Sequence, residues 1–103
     1  MSNEPILIHV MNGPTLRGAE RFGVELAEEL ASLGIAQKFI FLRGLDSGFP
    51  RLPQCRVEIW DRHHAGINRL LWLRQHLLKE TEAVVLCHGQ GPQKAAVAAL
   101  IGV

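Results

Sequence analysis

The sequence predicts an α/β fold built on a parallel sheet, and three observations predict it. The run Ile6 to Met11 is apolar without alternation, as expected of a central strand covered on both faces. Longer stretches carry apolar residues at helical spacing. Strand and helix signals then alternate at intervals suited to βαβ units, whose right-handed crossovers keep the strands parallel.

Taken in order, Ile6 to Met11 is the first strand, and Asn12-Gly13-Pro14-Thr15 is a turn. From Gly18, the residues Ala19, Phe22, Gly23, Leu26, Ala27, Leu30 and Leu33 share one side of a helix, with Glu25, Glu28 and Glu29 opposite and Gly34 as its stop. Ala36 to Leu42 is a second strand, Arg43 to Pro53 a long loop, and Arg56 to Trp60 a short third strand. A second helix runs from Ala65 or Gly66 to Glu80, with Ile67, Leu70, Leu71, Leu77 and Leu78 as its inner stripe. Ala83 to Cys87 is a fourth strand, His88 to Pro92 a turn, and Gln93 to Ile101 a third helix. The expected strand order is 3-2-1-4. Rossmann-like domains carry more strands than four, so residues 1–103 read as the N-terminal part of such a domain, stopping before a fifth strand.

Composition bounds the function. The chain has 103 residues, 48% of them apolar and 20% charged, which suits one soluble domain at most. Its net charge of +1 provides no global field for nucleic acid or an anionic membrane, so an anion must be bound locally. The first residues lack the basic segment of a signal peptide, and Ile6 to Met11 is too short for a membrane span, which points to a cytoplasmic location. Cys55 and Cys87 are far apart and outside any C-x-x-C spacing, so two reduced, mostly buried thiols are expected.

In open α/β sheets, ligands bind beyond the carboxyl ends of the strands, and two turns here stand at such ends. Gly13-Pro14-Thr15-Leu16-Arg17-Gly18 is either a plain βα turn or a place where backbone approaches an anion. It is not a P-loop, because Ala19 and Glu20 stand where Lys and Ser/Thr must be, and it lacks the G-x-G-x-x-G pattern. Glu20 either serves the helix dipole or makes a polar contact near the turn. His88, followed by Gly89-Gln90-Gly91, offers an imidazole to a hydroxyl or phosphate, or else makes a structural hydrogen bond to the turn. His9, inside the first strand, is expected to be a satisfied core histidine. The adjacent His63 and His64 lack a third ligand at metal spacing, and Cys87 and His88 point to opposite faces of a strand, which argues against a nucleophile pair.

Several of these segments resemble one family. Ile6-Leu7-Ile8-His9-Val10, the Gly13 turn, Gly18-Ala19-Glu20-Arg21-Phe22 and Leu26-Ala27-Glu28-Glu29-Leu30 look like the opening of the retaining family 4 glycosyltransferases of the GT-B fold. Ala83-Val84-Val85-Leu86-Cys87-His88-Gly89 is similar to that family's fourth strand and its terminal "H-G". The likeness is strongest over residues 6–34 and 83–103 and weakest between Asp46 and Asn68. It implies two Rossmann-like domains with sugar transfer between them, the first holding mainly the acceptor and the second, C-terminal domain gripping the nucleotide. Carried over residue by residue, the family's glycine-rich first turn corresponds to Gly13 and Gly18, which would touch the donor diphosphate. Arg17 replaces the first glycine of the usual pair; it either adds a charge-assisted contact to phosphate or fills the space the phosphate needs. The spacing of Glu20 and Glu28 imitates the family's E-x7-E pair by coincidence, since that pair belongs to the second domain.

The expected function is therefore that of part of a glycosyltransferase of hexosyltransferase type, moving a sugar from a nucleotide-sugar donor to a glycan or lipid-linked acceptor. Polysaccharide biosynthesis is the expected setting. His88 is the candidate catalytic residue, Gly13, Arg17 and Gly18 the candidate diphosphate ligands, and Glu20, Gly89 and Gln90 the candidate cleft lining. No metal or other cofactor is expected, and residues 1–103 alone should be inactive. The alternative is a non-catalytic α/β module that binds a small anion or nucleotide at the same strand ends. A third reading is an interaction module: Arg69, Trp72, Leu73 and His76 share the outer side of the second helix, where they would meet a membrane surface at the inner membrane face or be covered by other parts of the protein. The fourth strand, 83–87, has no charge or proline to block pairing at an exposed edge, so a homodimer through it is also expected.

Overall fold

The computed structural model describes residues 5–12, 18–43, 56–60, 66–79 and 82–101. They form an α/β fold with an all-parallel, four-stranded sheet in the order β3-β2-β1-β4. The elements follow as β1 (Ile6–Met11), α1 (Gly18–Ser32), β2 (Gln37–Phe41), β3 (Arg56–Ile59), α2 (Gly66–Leu78), β4 (Ala83–Cys87) and α3 (Gln90–Ile101). This is the Rossmann-like arrangement and strand order that the βαβ alternation predicts. Among the described residues no helix is long and apolar enough to cross a membrane.

Alternation along the strands divides the core in two. Ile6, Ile8 and Val10 of β1, with Ile40, pack against Leu73 and Leu77 of α2 and Ala95, Ala96 and Ala99 of α3. Met11, Phe39 and Phe41 on the opposite face pack against Ala27 of α1. β1 is buried from both sides, as its unbroken apolar run requires.

Gly23 sets how closely α1 lies on the sheet. A Cβ at this position would collide with the Met11 methyl group and stand 3.0 Å from His88 Cε1. The inward stripe of α1 is consequently made of small residues, Gly23, Val24 and Ala27. Phe22 and Leu33, expected on that stripe, are 61% and 73% exposed. They flank a line of contact too narrow and too close to the sheet to admit them.

The second helix keeps Leu70 and Leu77 of its expected inner stripe against the core and corrects the rest. Leu73 is fully buried and Leu77 nearly so, whereas Ile67, Leu71 and Leu78 lie exposed. Trp72 is half-buried, tilted against Trp60 at 5.5 Å and edge-on to His76 at 4.7 Å. Arg69 Nη1 donates to the Leu42 carbonyl and Arg74 Nη1 to the Ala99 carbonyl. The helix carries two apolar stripes, and the inward one is the stripe flanked by long cations that reach backbone carbonyls over the apolar surface. Trp72 and Leu73 thus belong to the packing of α2 on the sheet, which withdraws them as an exposed membrane patch.

α3 begins at Gln90, three residues before the expected start at Gln93. Gly91-Pro92 reads as a turn in sequence, but a proline near a helix start loses no hydrogen bond and its fixed φ suits the first turn.

Candidate functional site

In the order β3-β2-β1-β4, the strand sequence reverses between β1 and β4, and the chain leaves these two neighbours toward opposite faces of the sheet. A crevice beyond their carboxyl ends is where a doubly wound sheet takes its ligand. Asn12 leaves β1 at this point, His88 and Gly89 leave β4, and Gly91 in the first turn of α3 stands near the Asn12 side-chain oxygen. The His88 N–H donates to the Val10 carbonyl at 3.0 Å, which carries the ladder one residue past β4. Gly89 has a φ of 110°, a conformation that side-chain-bearing residues rarely adopt, and it turns the chain into α3.

His88 does not project freely from the strand end. It is buried, at 6% exposure, and its Nε2 lies 2.9 Å from Nδ1 of the fully buried His9. Register explains the meeting: His9 stands opposite Leu86, so His88, two residues on, shares its face diagonally. His9 Nε2 in turn donates to Gln37 Oε1 at 2.7 Å, and Gln37 Nε2 donates to the Ala27 carbonyl at 3.0 Å. The His9 ring also stacks on Phe39 at 4.4 Å. A chain of hydrogen bonds therefore crosses the α1 face of the sheet, from α1 through β2 and β1 to the end of β4.

Burial, and then the neighbouring His9, lowers the His88 pKa to about 4. Burial also lowers that of His9, opposed by its bond to Gln37. Both rings are neutral near pH 7, and desolvation is the principal reason.

His9 is the satisfied core histidine expected from its strand position. The structural bond expected of His88 exists too, but to His9 in the core and not to the turn. Gln37 was not among the expected site residues. The available signal was the polar positions, His9 in β1 and Gln37 beside Lys38 in β2, within strands otherwise facing a core. Cys87 takes the opposite face, half-buried against the α2 and α3 side, where burial raises its pKa. It cannot pair with His88.

Gly18 opens α1 and Glu20 lies in its first turn; Gly89 and Gln90 are exposed at the β4 end. Gly13 and Arg17 lie outside the described residues, as do Cys55, His63 and His64. Among the described residues no three His, Cys, Asp or Glu side chains are grouped to hold a metal ion. Compared with known proteins, the chain matches no family model, no curated protein and no solved structure.

Proposed function

We propose that this chain supplies the acceptor-side Rossmann-like domain of a glycosyltransferase that moves a sugar from a nucleotide-sugar donor to a glycan or lipid-linked acceptor. The observation that carries the reading is the strand-order reversal between β1 and β4, with His88, Gly89 and the start of α3 at the carboxyl edge. The segments that resemble the family 4 glycosyltransferases include, in sequence, those that directly follow β1 and end β4, the Gly13 turn and His88-Gly89. In this reading Gly13, Arg17 and Gly18 meet the donor diphosphate, while Glu20, His88, Gly89 and Gln90 line the acceptor side. The nucleotide is gripped mainly by a second domain, no metal is needed, and residues 1–103 alone turn over no substrate. Work at the inner face of a membrane on lipid-linked acceptors fits the same proposal.

A second reading, a non-catalytic module for a small anion or nucleotide, is favoured by the engagement of His88 with His9. An imidazole held in the core is better suited to shaping a site than to moving through a reaction.

Equilibrium dialysis with labelled UDP-, GDP- and ADP-sugars separates the two. The glycosyltransferase reading expects weak, saturable retention that depends on the sugar as well as the nucleotide, without turnover. Retention that ignores the sugar favours the binding module, and no retention of any nucleotide contradicts both.

A further inference from the structure

The buried chain of hydrogen bonds has a direction. A backbone carbonyl only accepts, so the Gln37 amide nitrogen faces Ala27 and its oxygen faces His9. That oxygen also only accepts, so His9 carries its proton on Nε2 and presents Nδ1 as a lone pair. The neighbouring nitrogen, His88 Nε2, must then supply the proton of the 2.9 Å contact. A neutral imidazole has one ring proton, so Nδ1 of His88 is left bare. This atom has no hydrogen-bond partner among the described residues, and although His88 as a residue is only 6% exposed, Nδ1 is not among the fully buried unpartnered atoms and so stays open to a small donor. It faces Gly23, whose missing side chain would have stood 3.1 Å away.

We propose that Gln37 and His9 are positioning residues which fix His88 as its Nε2–H tautomer, so that the site meets its ligand through a bare Nδ1 acceptor. Such an atom takes a hydroxyl or another neutral donor, and it repels an unprotonated phosphate oxygen. His88 therefore belongs to the hydroxyl-recognising part of the crevice, and any phosphate is held elsewhere. Only the identification of that donor as a sugar hydroxyl rests on the proposed function; the tautomer does not.

Long-range nitrogen–proton NMR of the ring-labelled chain at neutral pH distinguishes bare from protonated ring nitrogens. The expected spectrum has Nδ1 bare and Nε2 protonated in both His9 and His88. Gln37→Leu removes the acceptor that orders the chain and should give His88 a mixed tautomer. A proton on His88 Nδ1 in the unaltered chain overturns the proposal, and this holds whether or not Gln37→Leu folds. A folded Gln37→Leu with an unchanged His88 spectrum removes the positioning role. Inorganic phosphate should leave the His88 ring signals in place, and a phosphate-induced second ring proton would contradict the acceptor assignment. Methyl glucoside should move Nδ1; failure with the tautomer intact rejects the sugar hydroxyl alone.

Discussion

His9 Nδ1 and His88 Nε2 meet at 2.9 Å across neighbouring strands, joining the interior of β1 to the carboxyl end of β4. Removing one partner strands a buried nitrogen, at a cost of about 1–3 kcal/mol. His9→Leu and His88→Leu should each destabilise the fold by about that much. The double variant should lose less than the two single losses combined, because neither ring nitrogen of the contact is left behind, although Gln37 Oε1 still lacks its donor. Urea unfolding of the four proteins measures this, and strictly additive losses would deny the coupling.

The same pair predicts an acid-sensitive fold. The His88 pKa falls from 6.5 unfolded to about 4 folded, and that of His9 is also lowered. The unfolded chain therefore binds more protons between these values, and stability must decrease as pH falls through this window. Phe39, Gln37, Gly23 and Met11, the described neighbours of the pair, carry no charge to oppose the effect. For His88 alone the displacement from 6.5 to about 4 corresponds to roughly 3 kcal/mol at most. Stability curves at pH 7 and pH 4.5 check it. The loss should shrink in the double leucine variant, and an unchanged slope would contradict the assignment.

Gly23→Ala tests the close approach of α1. Alanine favours helix by about 1 kcal/mol over glycine, but its Cβ would press on Met11 and stand 3.0 Å from His88 Cε1. Overpacking of this kind costs about 1–3 kcal/mol, so the net change should be a loss. Thermal unfolding with the His88 ring signals as a second readout measures it. A stabilised variant with unmoved ring signals would show that the helix has room to spare.

Trp72→Ser should destabilise the chain by about 2 kcal/mol, since Trp72 packs between Trp60 and His76. Vesicle binding should not depend on it. Unchanged stability together with lost vesicle binding would restore Trp72 to the surface.

β4 lies at an edge of the described sheet, and Val84 is 63% exposed on it. An uncharged edge of this kind recruits another strand. Residues 1–103 should self-associate, and Val84→Lys should shift them toward monomer. Light scattering decides, and a monomeric unaltered chain at high concentration would refute the edge contact.

The strands and their order were legible because burial on both faces leaves an unbroken apolar run in β1, and because βαβ alternation admits few topologies. The face of α2 was legible only in part, through Leu70 and Leu77. Ile67, Leu71 and Leu78 form a stripe as apolar as the buried one, and only the reach of Arg69 and Arg74 to backbone carbonyls separates the two. Likewise His88 could be placed at a strand end from its spacing alone. Its bond to His9 depends on the register of β1 against β4, which is a long-range property absent from any local pattern.

On the proposed function, a nucleotide sugar binds beyond the carboxyl ends of β1 and β4. The most direct measurement is an amide titration of the nitrogen-labelled chain with UDP-glucose and, in parallel, UDP, GDP and ADP. The expected shifts are concentrated in residues 12–20, which follow β1 in sequence, and 88–91, at the carboxyl end of β4. Shifts confined to the amino ends of the strands or to the outer face of α2, with residues 12–20 and 88–91 unmoved, would contradict it.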